Sequence, residues 1–148
     1  MATKEDSALI AEHRRRMFVD SGQAESAAMD LMVTNFVEWV RPRLADGRYV
    51  GWLVQEDEAV VGGAGMWLMD FPPHFLDPEP LRAYLLNFYV APAARGRGLA
   101  ETLLKTAVDE ARKRGIRVVS LHASRMGRPI YERNGFEGTN EMMLLGGV

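Results

Sequence analysis

The chain contains no cysteine in 148 residues, which removes disulfides, thiolate metal sites and any cysteine acyl-enzyme. It has no apolar run near the ~20 residues of a membrane span, and the polar start MATKEDSA is unlike a signal-peptide core, so a cytoplasmic protein is expected. Charge of either sign is not in excess. Eighteen Lys and Arg against 20 Asp and Glu leave a net charge of -2, too little field to recruit nucleic acid or an anionic membrane. No GK followed by Ser or Thr occurs, so the lysine that reaches the terminal phosphates of a nucleoside triphosphate is missing. No GxSxG occurs either, which leaves a serine hydrolase unsupported. The three histidines, His13, His74 and His122, fall on a helix, a loop and a strand end. They form no ligand set and read as structural, with no metal expected.

What the chain does have is 47% hydrophobic residues, ample for one packed core, and residues 1–148 read as a single domain. Helical spacing runs over Ser7 to Asp20 and again through Ala28, Leu31, Met32, Phe36, Trp39 and Val40. Tyr49 to Gln55 and Ala59 to Met69 read as a hairpin around Asp57. The four prolines of Phe71 to Pro80 mark a loop, and Leu81 to Val90 is a further strand. Ala100, Leu103, Leu104, Ala107, Val108 and Ala111 keep one helical face apolar up to Gly115. Ile116 to His122 reads as a short strand, Ser124 to Asn134 as a capped short helix, and Asn140 to Leu145 as a last strand. The order ααβββαβαβ predicts an α/β fold of the mixed α+β kind. A strand, crossover helix and strand from Leu81 to His122 make one pair parallel beside an antiparallel hairpin, so the central sheet is mixed.

The run Val90 to Ala100, VAPAARGRGLA, joins a strand to a helix. Arg95, Gly96, Arg97, Gly98, Leu99 and Ala100 crowd small residues and two cations into a helix start. Unpaired N–H groups and the positive end of the dipole point outward there. The run reads as a pyrophosphate cradle or as a tight turn that needs glycine only for its geometry. A dinucleotide fold is disfavoured because Glu101 stands where a third glycine is required. Arg14, Arg15 and Arg16 read as a solvated helix face. Gly62, Gly63 and Gly65 read as a bulge or a packing site rather than a ligand contact.

This element order, the segment VAPAARGRGLA and the downstream GRPIYERNGF together resemble the GNAT superfamily of N-acetyltransferases across nearly the whole chain. Arg95, Gly98 and Ala100 match its first signature, and Tyr131, Gly135 and Phe136 its second. The resemblance implies a sheet with helices on both faces, splayed between 81–90 and 116–122, with acetyl-CoA as co-substrate entering the gap. It implies that the Phe88 N–H meets the acetyl oxygen, that Val90 pairs with the pantetheine amides, and that Arg95 to Ala100 wrap the pyrophosphate. Tyr131 becomes the candidate acid for the departing thiolate, with packing in the core as its other reading. Asn87 and Tyr89 alternate with Phe88 and are candidates to order the amine or a water beside the thioester. Tyr84 lines the pocket or fills the core. Ser124 stands where many members carry Asn, and contacts the cofactor or caps a helix. Arg128 is either a cofactor contact or a surface ion pair. The strand that usually precedes the first helix is lost or very short.

The function expected is acetyl transfer to a primary amine of a small molecule or protein, by direct attack in a ternary complex. Neither nucleic acid nor membrane is an expected partner, and a homodimer is allowed. The acceptor pocket is expected among the first helix pair, the Asp70 to Pro80 loop and the last strand. A CoA-binding sensor without catalysis is the alternative, and an interaction domain using the arginine-rich first helix a second one. No residue is assigned as base.

Overall fold

The computed structural model describes residues 1–146. Two helices open the chain, α1 (Ser7–Asp20) and α2 (Ala27–Asp46), the second capped by the Ser26 hydroxyl, which accepts from the Met29 N–H at 3.2 Å. The strands β1 (Tyr49–Glu56), β2 (Ala59–Asp70) and β3 (Leu81–Val90) follow. Then come α3 (Leu99–Lys113), β4 (Val119–Leu121) and the short α4 (Arg128–Arg133). Among the described residues the sheet order is β1-β2-β3-β4, antiparallel in the first two pairs and parallel in the third. The mixed sheet, antiparallel and then parallel, is as the sequence predicts. No helix among the described residues is long and apolar enough to cross a membrane.

The sheet divides the core in two. On one face Leu104, Ala107 and Ala111 of α3 pack on Val50, Met66, Ala83 and Leu85. Leu104, Met66 and Leu85 are fully buried, each worth about 1.5–3 kcal/mol in area removed from water. On the other face Ile10 and Ala11 of α1 and Phe36 and Val40 of α2 close over Tyr49, with Trp39, Trp67 and Leu86 around them. Helices therefore cover both faces.

Three expectations need correction. The strand expected at Ile116 to His122 is only Val119–Leu121, because Ile116 turns into the core beneath α3. The helix expected from Ser124 begins at Arg128. The strand expected at Asn140 to Leu145 does not form: the segment is irregular, and Met142 and Leu144 are 93% and 96% exposed. A further strand needs a ladder of backbone groups to pair with, and the three residues of β4 offer too few. At the other end the early strand is reduced to one backbone bond, Ala2 N–H to the Gly51 carbonyl at 2.8 Å.

Candidate active site

Strand β3 changes the direction of its hydrogen bonds halfway along. The Ala83 N–H donates toward β4, to the Val118 carbonyl at 3.1 Å, whereas the Ala91 N–H donates toward β2, to the Val61 carbonyl at 2.7 Å. In an unbroken strand two odd-numbered positions point the same way. The switch comes from one extra residue: Leu86 lies opposite Gly65 and Tyr89 opposite Gly63, so three steps on β3 face two on β2. Asn87, at φ +61°, sits in this bulge. Counting back from Ala91, the N–H groups of Val90 and Phe88 point to the β4 side. There β4 has already ended, its last rung being Leu85–Leu121. The parting of the two strands is the expected splay.

The bulge is clamped from behind. Asn87 is 3% exposed; its amide donates to the Tyr49 hydroxyl at 2.9 Å, and its carbonyl oxygen accepts from the Arg14 guanidinium at 2.9 Å. Asparagine tolerates a left-handed backbone better than most residues, and two side-chain bonds hold it there. Gly65 is what lets Tyr49 reach across, since a Cβ at that position would collide with the Tyr49 hydroxyl. Arg14 is thus no part of a solvated face: its guanidinium lies 5.0 Å from the ring centres of both Phe18 and Phe36. Only Arg15 and Arg16 behave as expected, pairing with Asp30, Glu25 and Glu12. Tyr89 shares the Asn87 face and packs 5.0 Å from the buried His13 ring. Burial, then the neighbouring Arg16, lowers the His13 pKa against a smaller opposing effect of Glu12.

Beyond Val90 the chain passes a short 3₁₀ turn at Pro92–Ala94 and enters the glycine run. Gly96 and Gly98 take φ +80° and +74°, and a Cβ at either would meet nothing within 4 Å. Their conformation needs glycine, and the space beside them is open. Among the described residues, no N–H from Gly96 to Glu101 donates to a backbone carbonyl; the first to do so is Thr102, to Gly98 at 3.0 Å. Six consecutive donors at a helix start fit a pyrophosphate. The cations are turned aside. Arg95 donates to the Val90 carbonyl at 2.9 Å and pairs with Asp20 at 2.6 Å, while Arg97 pairs with Glu56 at 2.6 Å. Leu99 and Ala100, half-buried, begin α3.

On the α3 side of the gap, Tyr131 from α4 stands edge-on to Phe88, ring centres 6.1 Å apart, and to Phe136 at 6.0 Å. Burial pushes the Tyr131 hydroxyl above its ordinary pKa, so it keeps its proton at neutral pH. The Ser124 hydroxyl accepts from the Gly127 N–H at 3.1 Å, which makes it a cap for the turn into α4. Arg128 is exposed and pairs with Glu132 at 2.5 Å, along the helix surface. The structure thus brings Phe88, Val90, Tyr131 and the glycine run to one gap, and leaves Arg128 outside it.

Sequence reasoning missed Arg14 and Tyr49. Arg14 follows Ser7, Ile10 and Ala11 at the i, i+3, i+4, i+7 spacing of the buried helical face, and that signal was available.

A model of the Acetyltransferase (GNAT) family matches residues 9–136. A GCN5-related N-acetyltransferase from Ralstonia eutropha JMP134 is 38% identical, with TM-score 0.92 over 97% of this chain and 94% of that one. A predicted acetyltransferase from Clostridium acetobutylicum, solved with acetyl-CoA, is 30% identical, with TM-score 0.90 over 98% of this chain and 92% of that one. The uncharacterized N-acetyltransferase YhfO of Bacillus subtilis (strain 168) is 30% identical over 103 residues, 67% of this chain and 66% of its own length. The family match takes in the bulge, the glycine run and Tyr131 together, and the chain belongs to the GNAT family of acetyltransferases.

Proposed function

We propose that this acetyltransferase moves the acetyl group of acetyl-CoA directly to a primary amine while both are bound. The observation that carries the reading is the bulge at Asn87, which turns the Phe88 and Val90 N–H groups into a gap leading to the glycine run. Six N–H groups from Gly96 to Glu101, without a backbone acceptor among the described residues, hold the pyrophosphate. The Phe88 N–H meets the acetyl oxygen, where negative charge grows as the amine attacks. Val90 takes a pantetheine amide. Tyr131, half-buried with a hydroxyl that keeps its proton, gives it to the departing thiolate. Asn87, engaged by Arg14 and Tyr49, holds the Phe88 N–H in place through the backbone.

The test is thiol release from acetyl-CoA with spermidine, lysine, tyramine and a peptide α-amine as acceptors. At least one is acetylated, and Tyr131→Phe lowers its kcat by roughly 10²-fold with little change in acetyl-CoA affinity. Tight CoA binding with no acceptor turned over would replace this reading by that of a CoA sensor.

A further inference from the structure

The proposed reaction leaves one proton without a receiver, because the amine must lose it as the C–N bond forms. The place where β3 and β4 part holds a pair of side chains that no step above uses. Their last shared rung is Leu85–Leu121, so His122 is the first residue past it. Val119 and Leu121 pack on the α3 side with Phe88 and Tyr131. By strand alternation Ser120 and His122 face the opposite side, toward α1 and α2. Tyr84 faces that side too, edge-on to Trp67 at 6.2 Å. Its hydroxyl is in hydrogen-bond contact with the His122 Nδ1, the rings being 5.4 Å apart. His122 itself is exposed to solvent.

We propose that Tyr84 and His122 form the proton-accepting site for the incoming amine, so that the acceptor enters from the α1 and α2 side of the gap and the thiolate is protonated from the other. The inference rests on the acetyl-transfer reading above. The amine nitrogen bonds to the acetyl carbon and the C–S bond breaks. The proton on that nitrogen passes to the Tyr84 oxygen as the Tyr84 hydrogen passes to His122 Nδ1, and the sulfur takes the Tyr131 hydrogen. The imidazolium then releases one proton to water and the Tyr131 phenolate takes one up, which restores both. A Tyr84 that stays neutral suits this relay. Burial pushes its hydroxyl up; the Arg14 charge from α1 pulls it down, and Glu141, beyond α4, pushes it up again. Among the described residues Arg14, Glu141 and the contacting His122 are the charged or titratable groups beside Tyr84.

Tyr84→Phe, His122→Gln and the double variant are assayed with two acceptors: the fastest amine of the panel above, and hydroxylamine, which is weakly basic and arrives neutral. On the panel amine each single variant loses about 10²-fold in kcat, the double loses no more, and acetyl-CoA affinity by calorimetry is unchanged. On hydroxylamine the loss stays below about tenfold, because the same proton leaves the attacking nitrogen but from a much more acidic adduct, which water can deprotonate without a placed base. Equal losses on both acceptors, additive losses in the double variant, or no loss would each overturn the assignment. A second measurement needs no turnover: the imidazole nitrogen signals of His122, one of three histidines, shift in Tyr84→Phe and not in Tyr131→Phe. Unmoved signals in Tyr84→Phe overturn the pair. A wild-type enzyme that acetylates neither probe defeats the acetyl-transfer reading itself, whereas variants that fail beside a working wild type bear on this pair alone.

Discussion

The glycine run and the Asn87 bulge are both places where the backbone takes positive φ, and they solve that problem in opposite ways. At Gly96 and Gly98 there is no side chain, and among the described residues nothing lies within 4 Å of where one would be and the adjoining N–H groups have no backbone acceptor. At Asn87 the side chain is buried and tied to a cation on α1 and a phenol on β1. An anion site must stay unsatisfied until the anion comes, so it belongs on the surface, where water fills the vacancy. A bulge that aims a single N–H must not move, and burial with bonded polar groups fixes it. The first region binds by what it omits and the second orients by what it adds.

The comparison predicts its largest effect at the buried end. Asn87→Leu removes the acceptor of a charged donor and the donor to a buried hydroxyl, and forces a γ-branched residue to positive φ. Together these cost about 3–4 kcal/mol of folding stability. Denaturant unfolding should show it as a lower midpoint with unchanged slope. Asn87→Gly keeps the backbone at ease and loses only the clamp, so its cost is roughly half. Equal stabilities for both variants and wild type would mean that the bulge is held by strand pairing alone.

How far the sequence reached follows the same division. The glycine run was legible because it is local: spacing, residue size and the helix after it lie within a dozen or so positions. Tyr131 was legible for the same reason, through the GRPIYERNGF segment. The six longer helices and strands showed through their periodicity. The bulge was not legible, since nothing around Asn87 in the chain announces Tyr49 or Arg14, which reach it across a strand and from another helix. Nor was the contact between Tyr84 and His122, which depends on the register of a parallel pair joined through α3. The missing strand at Asn140 to Leu145 failed in the same way: apolar content suggests a strand, but a strand exists only where a partner edge is free to receive it.

A smaller effect, of a different kind, belongs to the surface region. Gly98→Glu puts a Cβ on a backbone at φ +74° and a carboxylate where the pyrophosphate charge should lie. Calorimetry should show acetyl-CoA binding weakened by about 100-fold, roughly 2.7 kcal/mol, with the circular dichroism spectrum retained. Gly98→Ala, which adds the strain without the charge or length, should fall between the two. Full-strength binding in Gly98→Glu would remove the anion from this run and with it one side of the comparison.

The smallest effect is expected at the arginines, although they are the most conspicuous residues of the run. Arg95 is held by Asp20 and the Val90 carbonyl and Arg97 by Glu56, in exposed pairs of the kind worth ~0–1 kcal/mol. To serve an anion either must first let its partner go, so most of what it gains at the phosphate it loses at the carboxylate. Arg97→Ala should therefore weaken acetyl-CoA binding by only about threefold, or ~0.6 kcal/mol. Glu56→Gln tests the same point with the opposite sign. It removes the competing charge, releases Arg97 toward the cradle and should tighten binding by about twofold, an effect that shrinks in high salt as exposed charges are screened. Arg97→Ala losing as much as Gly98→Glu would show that side-chain charge, not the backbone, holds the pyrophosphate, and the contrast between a region that binds by omission and one that orients by addition would fail at its surface half.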